Sequence, residues 1–374
     1  MLNVKIAVVG PVYPFRGGIA HYTTLLAAHL SAQHETRLYS FEQLYPQWLY
    51  PGRSQIDPSE KPLAAVEARR WLIPYWPFSW QRTTRDWSVW QPERVIIQWW
   101  VPFMAPMTAW LLSQARRLGI HSTLICHNVL PHEEKAIDAR LIRFALGRAD
   151  QLVTHGQPDR ERALKLLPQA QVKVTALPSY AGLRAGNWTH DRARAELSLT
   201  RPTLLFFGFV RPYKGLLDLL DALPAVLAEI DVELLVVGEI WGDAALYRER
   251  VLALGLTERV RFVDRYVSNE EAALYFAAAD LAVLPYRDAT GSAVLQLAFG
   301  LGVPVVATRT GGMSEAVEDG VTGLLVTPGD VAGLSRSIVR YFREDCSAAF
   351  RAAIERSQQR FGWDRLIAVM LDLQ

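Results

Sequence analysis

Three stretches of this 374-residue sequence combine residue types able to manage a negatively charged ligand. In LLFFGFVRPYKGLLDLLDA an apolar run ends at Gly208, and Arg211 and Lys214 follow before a helical pattern resumes. Beyond the carboxyl end of a strand, a planar guanidinium fork and a compact ammonium can grip a diphosphate from two sides. The competing reading is a pair of solvated surface charges. In GPVYPFRGGIAHY, Gly17 and Gly18 stand where a helix starts. Backbone N–H groups and the positive dipole end suit an anion there, and the missing Cβ atoms let it approach. A plain turn competes, and the run is not G-x-G-x-x-G, so the dinucleotide fingerprint is absent. In YRDATGSAVLQLAFGLGVPVVATRTGGMSEA a polar turn opens a second helix at Gly291 and Ser292, and a strand then leads to Gly311 and Gly312. His127, in LICHNVLPHE, also follows a strand, either as a core or capping imidazole or as a group near a ligand. His21 and His132 read as helix or loop residues, His132 opening a charged helical surface with Glu133 and Glu134.

Such residues need strands that end beside them. VKIAVVG is a near-continuous apolar run, and in the following IAHYTTLLAAHL the residues Ile19, Tyr22, Leu25, Leu26 and Leu30 fall at helical spacing. Similar buried runs occur at Val95–Gln98, Ser122–Cys126, Gln151–Thr154 and Val172–Leu177. A second series comprises Thr203–Phe207, Glu233–Val237, Val260–Val263, Leu281–Leu284, Val303–Ala307 and Gly323–Val326, with helical stretches such as Leu216–Glu229 and Asn269–Ala278 between them. This alternation predicts parallel sheets with helices on both faces. After Tyr180 the text AGLRAGNWTHDRARAELSLTRP is small, polar and turn-rich, and reads as a linker over 186–201. The fold class expected is α/β, with two doubly wound, Rossmann-like domains, 1–185 and 202–361, facing across a cleft.

With 50% hydrophobic and 21% charged residues the composition is globular. Cys126 and Cys346 are the two cysteines, too few for a disulfide framework or a multi-Cys zinc cluster, and a reducing cytoplasm fits best. The amino end reads as a strand rather than a secretory leader. A net charge of +2 hides an asymmetry: residues 1–186 carry 21 Lys/Arg against 13 Asp/Glu, and the remainder 19 against 25. The basic half is expected to meet a phosphate or an anionic membrane surface; with no dense Lys/Arg run, nucleic acid is not expected as a partner. Nine of the twelve tryptophans lie between Trp48 and Trp110, either as core under a long loop or, through WLIPYWPFSWQR, as a membrane-interface segment. Val95–Ala115 is 21 residues without a charge, but Gln98, Pro102, Pro106 and Thr108 interrupt it, which predicts strand, turn and helix rather than a span.

Taken in order, the Gly17–Gly18 loop, G-F-V-R-P-Y-K-G at 208–215 and G-x-P-V-V-A-T…G-G-x-x-E at 302–315 resemble the GT-B glycosyltransferases of family 4. That group is retaining and nucleotide-sugar dependent, and the likeness covers nearly the whole chain. The resemblance implies that Arg211 and Lys214 neutralise the donor diphosphate, with Gly17, Gly18 and the turn Gly291, Ser292 and Ala293 on its other sides. It implies that Arg265, Tyr266 and Val267 frame the base, that Glu315 is the acid following the second pair of glycines, and that His127 lies near sugar and acceptor. It also implies a final helix, within 362–374, that returns to the first domain. The catalytic set so expected is His127, Arg211 and Lys214. The implied partners are a nucleotide-diphosphate sugar and a saccharide or lipid-linked acceptor of bacterial surface polysaccharide or glycolipid synthesis, with peripheral contact at the inner face of an anionic membrane.

One departure matters. The family's Glu-x7-Glu falls on Ala289 and Leu297 here; Asp288 and Gln296 keep the separation one residue earlier, and replace the pair if the turn is rearranged. No Asp-x-Asp occurs, so the expectation is metal-independent catalysis with no cofactor beyond the donor. The alternatives are a sugar-nucleotide epimerase of related fold or a non-catalytic sugar-nucleotide-binding subunit.

Overall fold

The apolar run at the amino end becomes strand β1 (Lys5–Val9), buried along all but its first residue. The computed structural model describes residues 3–50, 52–130, 136–180 and 188–372. It divides into two units: Met1–Asp57 with Lys61–Ala176 and Trp363–Gln374, and Leu177–Gly362 with Pro58–Glu60.

The first unit is built on a seven-stranded parallel sheet of β1, β2 (Glu35–Phe41), β3 (Ala68–Leu72), β4 (Arg94–Trp99), β5 (His121–Cys126), β6 (Gln151–Thr154) and β7 (Val172–Val174). Their order is β3-β2-β1-β4-β5-β6-β7, so chain direction across the sheet reverses beside β1. β2 and β3 go beyond the strands expected from the sequence. β3 is the edge strand and β2 lies next to it, and there Arg37, Arg69 and the Tyr39 hydroxyl converge on Asp86.

The tryptophan-rich segment divides between the two readings. Trp80, Thr83, Trp87 and Trp90 lie on one stripe of the helix Pro77–Trp90 and are buried, as is Trp99 at the end of β4. Trp48, Trp76 and Phe78 are exposed. The uncharged stretch from Val95 becomes β4, a short turn at Pro102–Met104 and the helix Ala105–Arg117. Among the described residues no helix is long and apolar enough to cross a membrane.

The helix Trp363–Leu371 belongs to this first unit. Trp363 stacks on His29 at 5.3 Å and meets Tyr22 at 5.2 Å, while Lys173 and Gln151 donate to its last carbonyls, of Val369 and Met370.

The second unit holds six parallel strands: β8 (Thr203–Phe207), β9 (Glu233–Val237), β10 (Val260–Val263), β11 (Leu281–Leu284), β12 (Val305–Thr308) and β13 (Gly323–Val326). Their order is β10-β9-β8-β11-β12-β13, which puts the reversal between β8 and β11. Leu204, Phe206, Leu234, Val236, Val283 and Val306 form its core with one face of the helix Leu216–Leu227. Residues 190–196, inside the stretch read as linker, form a helix of this unit. Thr189 caps it, and Arg194 ties it to Asp280 at 3.1 Å and to the Arg201 carbonyl at 2.7 Å. Composition suggested a linker; the signals that prevail are the capping threonine and the acid in the first turn.

Candidate functional site

In an open parallel sheet, ligands bind beyond the carboxyl ends of strands where the order reverses. In the second unit that point lies between β8 and β11, and Arg211, Lys214, Asp288, Ser292 and Gln296 all follow one of these two strands. The loop after β8 bends at Gly208, whose φ of +92° favours glycine and whose added Cβ would stand 3.1 Å from the Lys214 ammonium. Gly215 closes the same loop; a Cβ there would stand 2.0 Å from the Pro285 carbonyl oxygen. Arg287 completes the join, donating its backbone N–H to the Tyr213 carbonyl (2.7 Å) and its guanidinium to the buried Asp218 carboxylate at 2.9 and 2.5 Å. The loop after β8 and the turn after β11 are thereby stitched together.

Lys214 is buried, and its ammonium lies 5.2 Å from the centre of the Tyr286 ring. Burial lowers its pKa to about 8, the Arg211 charge adding to the effect. The Arg211 guanidinium lies between two rings, 5.3 Å from Tyr213 and 5.4 Å from Trp241. Burial raises the pKa of the Tyr213 hydroxyl, with Arg211 opposing and Asp288 adding to the rise, so Asp288 acts on the same neighbourhood.

After β11, Ser292 caps the helix Ala293–Gly300 by accepting the Leu295 N–H at 3.1 Å, while Gly291 is exposed. Ala293 opens the helix, and Gln296 lies inside it, buried, with an Oε1 that has no hydrogen-bond partner among the described residues. Gly311 and Gly312 serve this turn from outside. Gly311 has φ +47°, a Cβ on it would stand 1.7 Å from the Ala289 carbonyl oxygen, and Gly312 N–H donates to Thr290 at 2.7 Å. Glu315 is exposed in the short helix Met313–Ala316, and its carbonyl accepts from Arg360 at 2.6 Å.

The segment Arg265 to Val267 separates by role. The Arg265 guanidinium is committed to Glu271, whose carboxylate also closes a capping box with Ser268, and Val267 is buried. Tyr266 keeps a half-exposed ring against Phe209 at 5.6 Å, and Phe209 meets Trp241 at 4.6 Å. Three aromatic rings beyond the ends of β8, β9 and β10 thus form a patch beside Arg211. Trp241 is further held by donating its indole N–H to the buried Glu239 at 3.1 Å. The sequence reading did not single out Phe209, Tyr213, Trp241 or Tyr286; aromatic residues just past strand ends were the available signal.

In the first unit Gly17, with φ +104°, is the N-cap of the helix Gly18–Ser31 and brings no side chain to close it. Loop 11–17 is held from 50–57: Asp57 donates to the Pro14 carbonyl and its carboxylate pairs with His21 at 3.1 Å, while Arg16 donates to the Tyr50 hydroxyl at 3.0 Å. His21 is therefore a brace. His127 follows β5, its N–H on the Trp99 carbonyl and its Nε2 2.7 Å from Gln98 Oε1. Burial, reinforced by His155, holds its pKa well below the usual histidine range, so the imidazole is neutral at pH 7. His132 lies outside the described residues. Among the described residues no group of three or more His, Cys, Asp or Glu is arranged to hold a metal ion.

Residues 201–344, which contain the whole strand-end constellation of the second unit, match the family described as glycosyl transferases group 1. The chain carries a glycosyl transferase group 1 domain. Among relatives in sequence, D-inositol 3-phosphate glycosyltransferase 1 of Catenulispora acidiphila is 32% identical over 276 residues, which cover 67% of this chain and 65% of that protein. The D-inositol 3-phosphate glycosyltransferase of Salinispora tropica is 34% identical over 205 residues, 49% of this chain and 42% of the other. The chain thus spans less than two thirds of these relatives' lengths. Among solved structures, sucrose-phosphate synthase from Thermosynechococcus elongatus superposes with a TM-score of 0.73 at 21% identity, over 99% of this chain and 98% of that one. HepE of Anabaena, in complex with UDP and glucose, gives 0.76 at 19% identity over 100% of both chains. The α/β architecture, one seven-stranded and one six-stranded parallel sheet with alternating helices, is the GT-B fold of these neighbours.

Proposed function

We propose that the chain is a retaining glycosyltransferase that moves a hexose from a nucleotide-diphosphate sugar to a saccharide or lipid-linked acceptor in bacterial surface polysaccharide or glycolipid synthesis. The observation that carries this reading is the buried ammonium of Lys214 beside Arg211, at the point where the second sheet reverses. A fold buries a lysine short of its ordinary pKa at a cost, and an arriving diphosphate offsets that cost. As the sugar leaves, charge builds on the β-phosphate, and preorganised cations and helix N–H groups stabilise it; removing one such donor costs about 3–4 kcal/mol of barrier. Arg211 and Lys214 then supply the charge that a divalent cation supplies elsewhere, making the transfer metal-independent.

The buried Gln296 Oε1 lacks a donor, and a ribose hydroxyl is one, which supports Gln296 and Asp288 in place of the absent glutamates. Tyr266 and Trp241 offer faces for the base. In the first unit, Gly17 and Gly18 stand for the other side of the donor diphosphate, and the neutral His127 for the sugar and acceptor side. With no carboxylate pair in the family positions, the departing phosphate takes the acceptor's proton on the face it leaves, and the anomeric configuration is retained. The exposed Trp48, Trp76 and Phe78 on a basic half support peripheral contact with an anionic membrane from the cytoplasmic side.

The test is a panel of UDP-, GDP- and ADP-sugars read by thermal shift, then product analysis by NMR. UDP-sugars come first because HepE binds UDP. A donor at a hundred times its Kd stabilises the fold by about 2.7 kcal/mol. No shift with any donor ends the reading, inversion in the product ends the stereochemistry, and epimerised donor without transfer favours the epimerase. Liposome flotation indifferent to anionic lipid and to salt ends the membrane assignment.

A further inference from the structure

We propose that Gln98 is a positioning residue for His127, holding its imidazole in one tautomer and one orientation at the end of β5, and that Gly10 is glycine to make room for it. The inference rests on the reading of His127 as a sugar and acceptor contact. Gln98 is the penultimate residue of β4, 2% exposed, and pairs in register with Ile125. His127 therefore stands just past the paired stretch, anchored by its N–H on Trp99, with its ring reaching Gln98 Oε1 at 2.7 Å. The edge of Tyr22 at 4.7 Å and the ring of His155 at 5.8 Å bound it on other sides.

The Gln98 side chain gets there by passing over the end of β1. A Cβ on Gly10 would stand 2.5 Å from Gln98 Cγ and 2.8 Å from Thr23 Oγ1, so any side chain at position 10 displaces the amide. The other end of the amide, Nε2, is buried and has no hydrogen-bond partner among the described residues. A glutamine placed only to satisfy a core ordinarily uses both ends. This one uses the oxygen on the imidazole. With that oxygen accepting, Nε2 of His127 carries the proton and the tautomer is set. His155 makes its own separate bond, Nδ1 on the Thr175 carbonyl at 3.2 Å, and does not compete for the amide.

The experiment uses the full chain with Gln98→Leu, Gln98→Met, Gln98→Glu and Gly10→Ala. His127 ring signals are followed by NMR against pH, and kcat and KM are measured with the donor that the panel identifies. In the wild type burial, with His155 adding, holds the His127 pKa well below the usual histidine range, so its ring signals stay those of the neutral imidazole in the window around pH 7. Gln98→Glu puts a carboxylate on Nε2 and brings the titration into that window, and the kcat profile gains an inflection at the same pH. Gln98→Leu and Gln98→Met each lose about tenfold in kcat, the worth of one hydrogen bond, with KM for the donor little changed. Gly10→Ala does the same. A His127 that stays silent in Gln98→Glu overturns the proposal, as does a titration that moves while the kcat profile keeps its wild-type shape. If the wild type transfers no sugar, the functional reading fails, and the NMR arm alone decides whether Gln98 orients His127.

Discussion

Lys214 gives the most demanding test of the diphosphate reading, because its burial ties stability, pH and binding together. Its pKa falls from 10.5 to about 8 on folding, with burial the larger cause and Arg211 the smaller. The folded state therefore binds fewer protons than the unfolded one between pH 8 and 10.5, and stability rises with pH across that window. Below pH 8 the full cost of the buried charge is present, about 3 kcal/mol for the shift from 10.5 to about 8. Lys214→Met removes the charge and keeps the stem, so at pH 7 the variant should unfold at higher urea than the wild type. It should also lose UDP binding by calorimetry. In the wild type, UDP affinity should weaken from pH 7 to 9.5 by up to about thirtyfold, as the fraction of protein with a charged lysine falls. A Lys214→Met protein less stable than wild type at pH 7, or a UDP affinity flat from pH 7 to 9.5, refutes the reasoning.

Other perturbations probe the frame around it. Arg211→Ala should lower kcat/KM for donor by two or more orders of magnitude in a steady-state transfer assay, with little change in melting temperature. Gly311→Ala must push a Cβ against the Ala289 carbonyl oxygen, 1.7 Å away, from a backbone at φ +47°; thermal melting should fall and donor affinity with it, since the Gly291–Ser292 turn shifts. Trp87→Ala empties a fully buried site among Tyr39 and the helix stripe, and should cost about 3–5 kcal/mol by denaturant unfolding while leaving UDP affinity unchanged.

β8 and β11, which lead to the cations and the turn, were legible because each is a short apolar run closed by glycine or proline, as in LLFFG before Arg211 and LAVLPY before Asp288. β2 and β3 were not, because ETRLYSF and ARRWL mix arginine into strands whose charges meet Asp86, 49 and 17 residues away along the chain. The helix 190–196 hid for the opposite reason: its residues look like linker one at a time, and only the Thr189 cap and the ties from Arg194 distinguish them. Lys214 and Arg211 could be named from spacing, but the depressed lysine pKa follows from burial of the ammonium, with the Arg211 charge adding to it, which spacing does not contain. Arg265 shows the converse. It has the right type at the right place, yet its guanidinium belongs to Glu271, and the ring next to it faces the patch.

That patch makes a prediction about the base. Phe209, Trp241 and Tyr266 come from the ends of three successive strands, and Trp241 is held from both sides, by Glu239 through its indole N–H and by Arg211 over its face. A base lying on Trp241 gains stacking worth about 1–3 kcal/mol, or roughly five- to 150-fold in affinity. Trp241→Ala should therefore weaken UDP by that factor and leave inorganic pyrophosphate unaffected, since pyrophosphate needs the cations and has no ring to stack. Trp241→Phe should restore most of the UDP affinity. If Trp241→Ala weakens both ligands equally, the indole serves only to hold Arg211; if it weakens neither, the base lies elsewhere and the three rings are packing.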